Sequence, residues 1–205
     1  MISMKEWNGN RNSVAAMLGM RTVWHPEERE PNDFYSTDPK AVRALMERLQ
    51  TDKKTVIYEC ACGSGNISRE LESMGYTVIS TDLVNRGYGT PGIDFLQVKT
   101  IPSNCMILTN PPYKYTTEFI EHSISLLPMG GVAAFLLNIS YLSGKARYRD
   151  IYAKGLLEKV YIFSGRVHCY KNDINTGHSS PVNYAWYLFK KGFNGTPTIE
   201  WLNNE

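Results

Sequence analysis

Thr55-Val56-Ile57-Tyr58-Glu59-Cys60-Ala61-Cys62-Gly63-Ser64-Gly65-Asn66 is an apolar run that ends in an acid and breaks at once into small residues. The run reads as a strand and the glycine-rich stretch as a tight turn. Residues 67–74 follow as a helix stopped by Gly75, and Tyr76-Thr77-Val78-Ile79-Ser80-Thr81 as a second strand that ends in Asp82. A strand, a glycine loop, a helix and a strand closing on an acid form a nucleotide-binding half-site of a doubly wound α/β sheet. Gly63 and Gly65 let a ligand approach the backbone, and Asp82, 17 residues beyond Gly65, is placed for ribose hydroxyls. The third glycine of a dinucleotide fingerprint is absent, with Ser68 in the helix instead, which argues against NAD.

Downstream, Cys105-Met106-Ile107-Leu108-Thr109-Asn110-Pro111-Pro112-Tyr113 runs from a buried strand into two prolines that forbid its continuation. Pro112 also keeps Pro111 out of the helical region, so the chain leaves the strand extended and stiff. Asn110 therefore falls at the carboxyl edge of a strand, where open α/β sheets bind ligands. Such a group is either an ordinary proline-rich turn after a core strand or the device of one kind of chemistry. An amine conjugated to a ring, such as N6 of adenine, is a poor nucleophile because its lone pair is delocalised. Two acceptors aimed at its N–H bonds, the Asn110 oxygen and a carbonyl of the Pro-Pro turn, favour a pyramidal nitrogen with a free lone pair. Tyr113 offers a face on which the ring stacks.

The chain has 205 residues, 42% hydrophobic and 20% charged, which fits one soluble globular domain with a substantial core. No apolar run reaches membrane-spanning length, and residues 1–5 lack a signal-peptide core. Cys60, Cys62, Cys105 and Cys169 form no CxxC pair and have no His at zinc spacing, so they read as reduced thiols of a cytoplasmic protein without a metal site. Net charge is +2, yet residues 140–191 carry nine Lys or Arg against three acids. That half suits a phosphate-rich partner, although a solvated basic face explains it equally well.

Residues 1–33 are polar and irregular and read as an arm or lid. Thr37 or Asp38 caps an amphipathic helix that has Pro39 in its first turn and runs through Leu49, and Phe34-Tyr35 before it is either core or a lid over a ligand at the helix mouth. Asp94 either accepts from an adenine amino group or merely caps a short helix over 95–98. Later come a helix over 116–127, a buried strand over 132–138, a basic helix over 145–153 and a strand over 159–163. A long loop from Arg166 to Pro181 carries His168, Tyr170, Lys171 and His178, and a final strand over 182–189 closes the core. His25, His122, His168 and His178 read as surface or loop residues. The domain is expected to span 34–192, with 193–205 as a tail.

In this order the segments resemble S-adenosylmethionine-dependent amino-methyltransferases of the adenine-N6 type, over about residues 31–191. Phe34-Tyr35-Ser36-Thr37 is similar to that family's methionine-binding motif, residues 59–65 to its glycine loop, and Asn110-Pro111-Pro112-Tyr113 to its catalytic motif. Arg86-Gly87-Tyr88-Gly89, Asp94-Phe95-Leu96, residues 146–149 and Tyr184-Ala185-Trp186-Tyr187 look closer still to small phage and prophage enzymes. Glu59 stands where many relatives have Asp, and Cys60 where many have Pro.

The resemblance implies a Rossmann-like class I methyltransferase fold, with a seven-stranded, mostly parallel sheet, helices on both faces and an antiparallel final hairpin. It implies S-adenosylmethionine as cofactor, held by Phe34, Tyr35, Thr37, Glu59, Ala61, Gly63, Gly65, Asp82, Leu83, Asp94, Phe95 and Asn110. Asn110, Pro111, Pro112 and Tyr113 would be catalytic. A flipped adenine of DNA would meet Tyr113, Arg166, His168, Tyr170 and Lys171. The alternatives are an RNA adenine, a protein glutamine amide, or a silent cofactor- or nucleic-acid-binding module. No separate target-recognition domain is evident, so a specificity partner or a homodimer is a further expectation.

Overall fold

The computed structural model describes residues 35–171 and 182–204. The expected arm over 1–33, Phe34 and His178 lie outside the described residues. In chain order the strands are β1 (Tyr35–Thr37), β2 (Val56–Glu59), β3 (Thr77–Asp82), β4 (Thr90–Pro91), β5 (Cys105–Thr109), β6 (Val132–Asn138), β7 (Leu157–Phe163), β8 (Cys169–Lys171), β9 (Tyr184–Lys190) and β10 (Thr198–Leu202). The helices are α1 (Pro39–Leu49), α2 (Asn66–Ser73), α3 (Thr116–Leu126) and α4 (Lys145–Asp150). Among the described residues no helix is long and apolar enough to cross a membrane.

The main sheet runs β10-β7-β9-β6-β5-β2-β3-β4. Strands β4, β3, β2, β5 and β6 are parallel, and β9 lies antiparallel between β6 and β7. From β2 the chain first winds outward to β3 and β4, then returns to β5 on the other side and continues to β6. The switch point therefore lies between the carboxyl ends of β2 and β5, where a crevice opens in folds of this kind. Glu59 ends β2, and Asn110 follows β5 there.

Eight strands stand where seven were expected. β10, placed by sequence in the tail, extends the sheet edge by pairing parallel to β7. Its five residues alternate weakly and are mostly exposed, so their periodicity is faint. Tertiary contacts hold the strand instead. Leu202 is buried in the core, and Glu200 takes an Arg48 Nε–H bond from α1 at 3.0 Å and an ion pair from Lys159 of β7.

Both faces of the sheet are covered, which is why its central strands read as nearly continuous apolar runs. Successive residues go to opposite sides. Ile57, Met106, Leu108, Leu136 and Trp186 meet Val42, Leu45 and Met46 of α1 and Leu71 of α2. Tyr58, Ile107, Phe135, Leu137 and Tyr187 meet Phe119 and Ile120 of α3 on the other side. Trp186 is fully buried, and its indole N–H donates to the Ala41 carbonyl at 2.9 Å, fixing α1 to β9. Asp38 caps α1 by accepting from Lys40 N–H at 3.0 Å, with Pro39 at the first position.

Candidate active site

The loop between β2 and α2 is closed by Asp82 from the end of β3. Its Oδ2 accepts the Gly63 N–H and its Oδ1 the Val84 N–H, each at 2.8 Å. Gly65 sits at φ +88°, and a Cβ there would fall 2.4 Å from the Tyr88 ring. The expectation that Gly65 admits a ligand is thus joined by a second reason for glycine, the close packing of Tyr88. That ring is held by Arg69 over its face and by a 2.9 Å bond from its hydroxyl to Glu72.

A cavity of about 380 Å³ opens beside this loop. Asp82, Leu83, Asp94, Phe95, Ala61, Tyr35 and Asn110 line it, together with Val84, Arg86, Ile93, Pro112, Tyr115 and Phe119. Asp94 caps the short turn over Phe95–Gln97, its Oδ1 accepting from Leu96 N–H at 3.0 Å, and also lines the cavity. The two sequence readings of Asp94 are therefore compatible, since the cap occupies one oxygen. Phe95 is buried at the cavity floor against Tyr58, Phe119 and His122. His122 itself is half-buried and bonds the Val98 carbonyl at 2.9 Å, so it is a packing residue rather than the surface residue expected.

A narrow second cavity of about 20 Å³ adjoins the first, with Tyr35, Ala61 and Asn110 lining both. Thr37, Glu59 and Gly63 complete its acidic end. Glu59 is buried, takes the Ser68 hydroxyl bond, and has no cationic partner among the described residues. Burial pushes its carboxyl well above the usual carboxylate range, against the pull of the Ser68 bonds.

Asn110 lies where the two cavities meet. Its Nδ2 donates to the Tyr35 carbonyl and the Thr37 Oγ1, both at 3.1 Å, and approaches the Cys169 Sγ at 3.9 Å. These acceptors orient the amide. The opposite atom, Oδ1, is buried and has no hydrogen-bond partner among the described residues. The Tyr113 ring lies beyond, 6.3 Å from Tyr35 and 6.4 Å from Tyr184, nearly parallel to the latter at 22°.

The expected substrate residues are arranged differently from the cofactor set. β8 pairs antiparallel with β1, placing Tyr170 opposite Ser36 and Lys171 opposite Tyr35. The start of the long loop is thus stitched to the motif before α1, and the His168 carbonyl accepts the Asp38 N–H at 3.1 Å. Arg166 is not part of this cluster and lines a separate cavity. Cys169 and Tyr184 were not singled out as site residues. Burial pushes the Cys169 thiol up to about 12, and no local pattern marks it. Tyr184 stands in the Tyr184–Tyr187 motif of the resemblance and at the head of a core strand, and neither signal attaches a role to it.

No family model and no curated protein matches the chain. Solved structures do match. One, from Listeria monocytogenes and described as a class I S-adenosylmethionine-dependent methyltransferase, superposes with a TM-score of 0.56 at 14% identity, over 93% of this chain and 71% of that one. The methyltransferase subunit of a type I restriction-modification system from Streptococcus thermophilus gives 0.58 at 14% identity, over 85% and 48%. A Pyrococcus horikoshii protein described as an RNA methyltransferase gives 0.55 at 13%, over 73% and 81%. The fold is that of the class I S-adenosylmethionine-dependent methyltransferases. The likeness is one of architecture, and the chain spans about half the length of the Streptococcus subunit.

Proposed function

We propose that this protein transfers a methyl group from S-adenosylmethionine to the N6 amino group of adenine in DNA. The observation that carries the reading is the Asn110 amide, tied down through Nδ2 while its buried Oδ1 has no partner. An acceptor left this way costs about 1–3 kcal/mol, and such an atom calls for a ligand donor. An exocyclic amine supplies one. Asn110 Oδ1 accepts the first N–H. The Pro112 carbonyl already accepts the Tyr115 N–H at 2.9 Å, which leaves the Pro111 carbonyl for the second. With both N–H bonds engaged the nitrogen lone pair is localised for in-line attack, and the stiff Pro-Pro turn holds the acceptors in place. Tyr113 offers its face to the ring. Because Asn110 Oδ1 is shielded, the target must part the side chains around it to enter.

The chain's own residues fit the cofactor. Asp82 and Asp94 line the wide cavity where a ribose and an adenine edge need acceptors. Glu59 gives the narrow end a buried carboxyl that an ammonium group would match. S-adenosylmethionine supplies, when bound, a methyl group on a sulfonium centre with a neutral thioether as leaving group. Tyr35, Thr37, Ala61, Gly63, Gly65, Leu83 and Phe95 would shape the walls, and this chemistry calls for no metal ion.

Nucleic acid as the partner is supported by the basic α4, which follows the carboxyl end of β6 on the same sheet edge as Asn110 and carries Lys145, Arg147 and Arg149. In this reading the catalytic domain runs from residue 34 through β10, which the sheet includes, and 1–33 is an arm, with a specificity partner or second copy completing target choice. The test is transfer of labelled methyl to unmethylated duplex DNA, with total RNA in parallel and nucleoside analysis of both. N6-methyladenine in DNA is expected. Label confined to RNA would keep the chemistry and overturn the substrate, and no label in either would overturn the reading.

A further inference from the structure

A third cavity, of about 220 Å³, opens where β6 and β7 end and β9 begins. It shares no lining residue with the two cavities at Asn110. Its walls are apolar, with Ile162, Phe163 and the buried Val167, and its rim is polar, with Ser164, Arg166 and Asn183. The frame is braced by backbone bonds. Ser164 N–H donates to the Leu202 carbonyl and Ile139 N–H to the Asn183 carbonyl, each at 2.8 Å, and Gly165 N–H donates to Asn204 Oδ1 at 2.8 Å. Tyr184 closes the side toward the active site, its ring nearly parallel to that of Tyr113.

Resting on the function proposed above, we propose that this cavity holds the base adjoining the target adenine and so sets sequence context. The chemistry of the rim is that of a nucleotide site. Apolar walls accept a base face, and the Asn183 amide suits a base edge. The Ser164 hydroxyl, whose proton goes to Asn203 and Asn204 Oδ1 at 3.3 Å, can still accept from one. The exposed Arg166 suits the linking phosphate. The position agrees. The cavity lies on the carboxyl edge that bears Asn110, one aromatic ring away from Tyr113, so successive nucleotides of one strand reach both. Part of the specificity, the choice at one adjoining position, then resides within the catalytic sheet.

The test uses the full chain and duplex DNA with randomised bases around adenine, read by sequencing the methylated positions, with S-adenosylmethionine titrated in parallel. The wild type is expected to prefer one base at one adjoining position. Asn183→Trp, which fills the cavity from its exposed rim, is expected to reduce that preference at least tenfold with cofactor affinity within twofold. Arg166→Gln is expected to weaken DNA binding in every context and to lower the salt slope by about one. A flat wild-type profile, or an Asn183→Trp profile equal to the wild type, would overturn the inference. Uniform loss of methylation by Asn183→Trp with cofactor affinity intact would assign the cavity to the target base and also overturn it. Absence of methylated adenine with the wild type would instead fail the function itself.

Discussion

The two halves of the sheet build their cavities in different ways. On the β2–β3–β5 side the acids and glycines come from strand ends and turns between neighbouring elements, and the Asp82 carboxylate, accepting the Gly63 and Val84 N–H groups, closes the loop. On the β6–β7–β9 side the groups come from distant segments. β8 meets β1, Tyr184 meets Tyr113, and residues 203–204 brace the turn after β7. The first arrangement draws most of its groups from residues 59–95, with Tyr35 and Thr37 of β1 and Asn110 also in the lining. The second exists only once the whole domain has folded, and none of the residues lining its cavity lines the two at Asn110.

Asn110 stands between the halves, and replacing it sharpens the contrast most. Asn110→Ala is expected to lower methyl transfer at least 10²–10³-fold, the scale of losing one preorganised polar group, with cofactor affinity within a few fold. Collapse of cofactor binding in a titration of that variant would move Asn110 wholly into the first half. Asp82→Ala is expected to weaken cofactor binding roughly 10–100-fold, since it removes a charged hydrogen-bonding group and loosens the Gly63 loop. Unchanged affinity would break the assignment of that half.

Gly65→Ala tests the loop from the stability side. Its positive φ and the clash with Tyr88 are expected to cost about 1–3 kcal/mol in denaturant unfolding, and adding Tyr88→Ala should recover part of it. Glu59 provides the pH test. Burial raises its folded pKa, so as pH climbs past the unfolded value near 4.5 the unfolded state loses its proton first and stability falls. The ligand-free Glu59→Gln variant should therefore melt above the wild type at pH 8, with the gap closing toward pH 4. It should also bind the cofactor more weakly. A wild type as stable as the variant across that range would mean the carboxylate is not strained. The smallest effect is expected at the sheet edge, where Glu200→Gln removes exposed ion pairs with Arg48 and Lys159 and should move Tm only slightly.

The same contrast explains what could be read in advance. The strand from Val56, the glycine loop, Asp82 and the Asn110-Pro-Pro-Tyr113 turn are local patterns whose meaning lies in adjacent residues, and the structure brings all of them to the switch point. Asp94 was ambiguous because one carboxylate can cap a turn and still face a cavity. β10 escaped notice because its stability comes from Leu202 burial and the Glu200 pairs rather than from alternation. Cys169 and Tyr184 escaped as site residues because nothing near them in sequence records that they fold against Asn110 and Tyr113. Arg166 was grouped with His168 by proximity in the chain, yet the turn after β7 carries it to a different cavity.

We propose that the cavities at the β2–β3–β5 end, with Tyr35 and Thr37 of β1 in their walls, hold the cofactor. Calorimetric titration of S-adenosylmethionine into the wild-type protein, with no nucleic acid present, tests it most directly. Saturable binding at one site per chain, competed by S-adenosylhomocysteine, is expected. No heat of binding at millimolar cofactor, from protein shown to be folded, would contradict it.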